Sequence, residues 1–151
     1  MGSTTSLAIS NVHKIKELQR KHPDLRSIVL IVKKLLARYN LNKPYSGGLN
    51  SYSLVLMTST YLLMYANKEI SELSWNLSEF FRFYGDHFDQ NKQGMDGTNF
   101  FTLSKEQQQM QDSLWVLDIQ NRDNNTANSA FRFNDIKEVF LSAYNLMKEE
   151  K

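Results

Sequence analysis

The chain has 151 residues, enough for one domain with its own core, and is 41% hydrophobic, 12% aromatic and 23% charged, which excludes a disordered polar chain. With 18 Lys and Arg against 16 Asp and Glu, the net charge of +2 is too small to argue for nucleic acid by itself. There is no cysteine, which excludes disulfides and cysteine-ligated zinc and favours an intracellular setting, and the histidines (His13, His22, His87) lack a His-x-x-x-His spacing, so no metal site is expected.

Met1 to Ser6 are small and polar, without a basic-then-apolar signal pattern, and read as a tag-like or disordered terminus ahead of a single domain over 7–151. The spacing of Ile9, Val12, Ile15 and Leu18 predicts a first helix over Ile9 to Lys21, ended by Pro23. Asp24 is expected to cap a second helix that is apolar over most of its circumference and carries Lys33, Lys34 and Arg38 in its C-terminal half. Pro44 and the Gly47-Gly48 pair then break the chain before a third helix, Leu49 to about Ala66. A glycine-rich turn feeding a helix N-terminus suits a phosphate, although composition alone favours an ordinary loop with a helix cap. The apolar run Leu54 to Tyr65 is short and broken by Thr58, Ser59 and Thr60, which makes it a core helix and not a membrane span.

A fourth helix is expected from Ser71 to Tyr84, with Gly85 as its stop, followed by a polar loop from Asp86 to Thr102. Ser104-Lys105-Glu106-Gln107 has the form of a capping box opening a short glutamine-rich helix. Leu114 to Leu117 reads as a short strand or a helical turn, Asp118 to Asn128 as a loop dense in Asp and Asn, and Asn134 to Met147 as a final helix. The fold class is therefore mainly α, about five main helices with one short strand-like segment.

Four ordered blocks resemble the central, PAP-associated region of RNA-tailing nucleotidyltransferases, a family that includes the poly(A) polymerases of the topoisomerase-related-function type and the terminal uridylyltransferases. They are Leu25 to Lys33 continuing to Asn40 to Tyr45; Gly47-Gly48-Leu49-Asn50-Ser51-Tyr52-Ser53; Asn76 to Gly85; and Leu114 through Asn125 to Tyr144. Together they span nearly the whole chain. The resemblance implies that Tyr52 stacks on the nucleotide base, Ser51 contacts the triphosphate, Lys33 reaches the outer phosphates, and Asn11 meets the ribose hydroxyl. It also implies that Asp118 and Asn124 lie in a nucleotide recognition loop that reads the base edge.

The chain departs from the pattern in places. Leu117-Asp118-Ile119 stands where the family usually has Glu-Asp-Pro, Ala127-Asn128 stands for Gly-Arg, and Ala37 replaces a second phosphate-contacting lysine of some members. Asn124 occupies the place of a histidine common in uridylyl-specific members, which tilts the expectation toward ATP. In the family, metal-bound aspartates on strands of a separate nucleotidyltransferase domain hold magnesium or manganese and activate the RNA 3′ hydroxyl. This chain has no Asp-x-Asp on a strand-like segment, so by itself it is expected not to catalyse; the catalytic domain would be supplied elsewhere in the full-length protein. The implied partners are an RNA 3′ end, the nucleotide and RNA-surveillance or tailing proteins, in nucleus or cytoplasm and away from membranes. Three function classes stay open: an adenylyl-adding RNA polymerase domain, a terminal uridylyltransferase, and a non-catalytic scaffold of the same descent.

Overall fold

The computed structural model describes residue 13 and residues 16–66, 72–110 and 113–149. Residues 13 and 16–21 are helical; residues 9–12, 14 and 15 of the expected first helix and the 1–6 terminus lie outside the described residues. Helix α1 is Pro23–Arg38, with proline at a first-turn position where its missing N–H is no loss. The expected cap at Asp24 is corrected: His22 is the N-cap, its side chain making no capping bond to the helix, and Asp24 lies at the second helical position. There its carboxylate faces the positive end of the helix dipole and accepts a 2.6 Å hydrogen bond from Asn76. Leu25, Ile28, Val29, Val32 and Leu36 are buried, but Leu30 and Ile31 are exposed, so α1 buries one stripe and not most of its circumference.

A one-turn 3-10 helix, Pro44–Ser46, and Gly47 in the left-handed region (φ 88°) turn the chain back. The next residue lies so close to the end of α1 that a Cβ on Gly48 would stand 2.2 Å from the Leu41 carbonyl oxygen. Helix α2, Ser51–Tyr65, follows and is buried continuously from Ser53 to Leu62. Its polar residues survive burial because the Thr58 and Thr60 hydroxyls donate back to the Leu54 and Leu56 carbonyls at 2.8 and 2.7 Å.

Helix α3, Leu73–Arg82, runs directly into a π-helical turn, Phe83–His87. Gly85, expected as a stop, lies inside that turn; a Cβ there would come 2.9 Å from the backbone nitrogen of Leu141, so glycine permits close approach of the last helix. That last helix, α5 (Phe133–Glu149), packs along α3 and the π turn, while α1 packs against α2. Phe80, Tyr84, Phe88, Phe133 and Phe140 form a fully buried aromatic centre among these elements.

The expected loop Asp86 to Thr102 contains an antiparallel hairpin, β1 (Gln93–Met95) with β2 (Phe100–Thr102), Gly94 facing Phe101 in register. Val116 adds a parallel bridge to Met95 and Leu117 an antiparallel bridge to Asn125, which gives 114–117 its strand-like character without a ladder. Short helix α4, Lys105–Gln108, carries the expected capping box in both directions between Ser104 and Gln107. The architecture is mainly α with a small two-stranded sheet, and no helix among the described residues is long and apolar enough to cross a membrane.

Candidate nucleotide site

The N-terminus of α2 and the loop Asp118–Asn128 form one hydrogen-bonded unit. Asn50 caps the helix by accepting from the Ser53 N–H at 2.7 Å, and its Nδ2 donates to the Thr126 carbonyl at 2.7 Å. The Ser53 and Thr126 hydroxyls share a further bond of 2.8 Å. Thr126 and Asn125 are in turn fixed to the strand-like segment: Thr126 N–H and Oγ1 both donate to the Val116 carbonyl, and Asn125 Oδ1 accepts from Val116 N–H. The Gly47 carbonyl accepts from Arg132 N–H at 3.0 Å, which ties the glycine turn to the start of α5.

Tyr52, at the second position of α2, is half-buried against the core, and its hydroxyl donates to Asp118 Oδ1 at 2.9 Å. Burial first, then the hydrogen bond and charge of Asp118, push the Tyr52 phenol well above the ordinary tyrosine value, so it remains a neutral donor at physiological pH. Asp118 is 2% exposed, and its Oδ1 also accepts from the Gln120 N–H at 3.0 Å. Its backbone N–H donates to the Asn124 carbonyl at 3.0 Å, while the Asn124 side chain is exposed at the loop surface. The structure thus joins Tyr52, Asp118 and Asn124 in one loop–helix contact.

Ser51 is exposed at the first position of α2, where helix N–H groups have no acceptor within the helix. Lys33 is exposed on α1, and no hydrogen bond or ion pair among the described residues links it to the cluster. Asn11 lies outside the described residues. The sequence singled out neither Thr126 nor Asn50 as part of the site; the placement of Asn50 directly before the apolar helix was the available signal for a cap. A cavity of about 470 Å³ lined by Tyr61, Tyr65, Trp75, Phe83 and His87 shares no lining residue with this cluster.

The arrangement offers an aromatic ring held at its hydroxyl end, a helix first turn bearing an exposed hydroxyl at Ser51, and a polar loop. A ring, a helix end and amide groups are complementary to a base, a phosphate and a base edge respectively. Magnesium or manganese does not fit the described residues, because no three His, Asp or Glu side chains come together there to hold a cation.

No family model matches the chain. It is 29% identical to the poly(A) RNA polymerase CID14 of Cryptococcus neoformans over 83% of this chain and 18% of that protein. The inactive poly(A) RNA polymerase protein Trf4-2 of Drosophila melanogaster is 37% identical over 54% of this chain and 21% of its own length. Among solved structures, the polymerase core of TRAMP, an RNA surveillance complex, superposes with a TM-score of 0.78 and 30% identity over 89% of this chain and 46% of the solved one. The chain therefore spans about a fifth of each of these two curated relatives and just under half of the solved chain.

Proposed function

This chain belongs to the family of poly(A) RNA polymerases and related RNA-tailing nucleotidyltransferases, and we propose that within it the chain forms the nucleotide-binding wall of an enzyme that adds AMP to RNA 3′ ends. Tyr52 stacks on the adenine, the Ser51 hydroxyl and the first N–H groups of α2 meet the triphosphate, and Lys33 supplies a point charge for the outer phosphates. Asn11 approaches the ribose. Asp118 holds the Tyr52 ring in place by its hydroxyl, and Asn124, exposed two bonds away through the loop backbone, reads the base edge. The catalytic aspartates with their magnesium or manganese belong, in this reading, to another part of the polypeptide, and the RNA 3′ end enters between the two. Proteins of an RNA-surveillance or tailing complex are the proposed partners.

The observation that carries this reading is the bond between Tyr52 and Asp118, which fixes an aromatic ring beside the first turn of α2 and a polar loop. Calorimetric titration of ATP and UTP into the full-length protein with magnesium tests it. Binding of ATP in preference to UTP is expected; preference for UTP would make the protein a uridylyltransferase. A scaffold without nucleotide is the second reading, favoured by the altered loop residues Leu117, Ile119, Ala127 and Asn128 and by the likeness to an inactive relative. Binding of neither nucleotide would establish it over the first.

A further inference from the structure

The tip of the recognition loop, between Asp118 and Asn125, has a tie to the turn that joins β1 and β2. Arg122 Nη1 donates to Asp96 Oδ2 at 2.5 Å, and the guanidinium lies 5.5 Å from the centre of the Phe101 ring. Asp96 is an anchored partner. Its other oxygen, Oδ1, accepts from Thr98 N–H, the Thr98 hydroxyl and Asn99 N–H at 2.8 to 2.9 Å. The neighbouring Gly97 is pinned to α2 from both sides: the Ser59 hydroxyl donates to its carbonyl at 2.7 Å, and its N–H donates to Thr60 Oγ1 at 2.9 Å. Both of those hydroxyl residues are fully buried. Glycine is required there, at φ 96° and with a Cβ position 2.8 Å from Leu56 and 3.2 Å from Ile119.

These bonds close a triangle. Tyr52 and Ser59 are separated by seven residues on α2, two helical turns and roughly 10 Å, and so lie on one face. From Tyr52 the path leads to Asp118 at the start of the loop. From Ser59 and Thr60 it leads through Gly97 and Asp96 to Arg122 in the middle of the loop, two residues before Asn124. The same rigid helix thus sets both the ring and the loop tip.

Resting on the nucleotide reading above, we propose that Arg122 is a positioning residue: through Asp96 it fixes the loop tip that carries Asn124 relative to the Tyr52 ring, and so governs nucleotide affinity and base choice. It touches no reacting atom. The Arg122 side chain is 58% exposed, and exposed ion pairs add little to stability. A purely structural role would therefore be small in every assay, whereas a positioning role moves the nucleotide KM without moving the chemistry.

The test is steady-state tailing by the full-length protein with ATP and with UTP, for wild type, Arg122→Ala, Arg122→Lys, Asp96→Asn and the double variant Asp96→Asn/Arg122→Ala. Arg122→Ala is expected to raise the ATP KM roughly fivefold to tenfold, with kcat changed less than about twofold and the ATP-to-UTP ratio narrowed. Arg122→Lys recovers part of the loss, because a charge remains while the planar fork over Phe101 is gone. The double variant is no worse than Arg122→Ala, since both changes break one contact. A wild type that uses ATP with a KM and base preference unmoved by Arg122→Ala overturns the proposal alone. A fall in kcat that tracks a fall in Tm overturns it in favour of a structural role. A wild type that uses neither nucleotide overturns the nucleotide reading and this proposal with it.

Discussion

The Tyr52 hydroxyl donates to the Asp118 carboxylate across 66 residues of sequence, and this bond makes one unit of the α2 N-terminus and the Asp- and Asn-rich loop. Tyr52→Phe keeps the ring but leaves the buried Asp118 short of a donor, at a cost of about 1–3 kcal/mol. Chemical denaturation is expected to show that loss.

The same bond has a pH signature. The folded Tyr52 phenol titrates above its unfolded value, so its contribution to stability is complete below about pH 10 and is lost as pH rises through the higher folded value. In stability measurements from pH 8 upward, wild type is expected to lose its margin over Tyr52→Phe only on the alkaline side of pH 10. A margin that shrinks already between pH 8 and 9 would contradict the assignment.

Asp96 supplies the acid counterpart. Burial would raise its carboxyl, but the N–H groups of Asn99 and Thr98, together with Arg122 and the Thr98 hydroxyl, outweigh burial and hold it below the ordinary carboxylate value. A depressed folded value gives stability that is complete above about pH 4 and is lost as pH falls through the folded value. Acid unfolding of Asp96→Asn is therefore expected to be less steep than that of wild type below pH 4.

Asn50→Ala removes the cap of α2 and its bond to the Thr126 carbonyl together. A cap alone contributes about 1–2 kcal/mol. The urea midpoint is expected to fall accordingly with an unchanged m-value, while Asn50→Asp, which keeps the accepting oxygen, recovers the cap portion.

Gly48→Ala places a methyl group against the Leu41 carbonyl, which is backbone and has no rotamer to yield. Overpacking of this kind costs about 1–3 kcal/mol or more, and a drop in Tm of roughly 5 °C or more is expected by differential scanning calorimetry.

The helices were legible in the sequence because local spacing sets them. The apolar run of α2, the capping box at Ser104 and the stripe of Ile136 and Phe140 all follow from neighbours a few residues apart. The hairpin was not legible, because strands of three residues are too short for alternation to show. Gly85 read as a stop because its reason is a contact with Leu141, far along the chain. The site divides in the same way. Tyr52, Ser51, Asp118 and Asn124 were singled out through a family pattern. The bonds that organise them, Asn50 and Ser53 to Thr126 and Arg122 to Asp96, join residues 26 to 76 positions apart and leave no local period. Lys33 stands exposed and outside the bonded cluster, so its role rests on a ligand that bridges α1 and α2.

Tailing by full-length Tyr52→Ala beside Tyr52→Phe tests whether the Tyr52 ring is the platform for the nucleotide base. Loss of a stacked base costs about 1–3 kcal/mol, so kcat/KM for ATP is expected to fall roughly tenfold to a hundredfold in Tyr52→Ala and only several-fold in Tyr52→Phe. A Tyr52→Ala enzyme that tails RNA at the wild-type rate would contradict it.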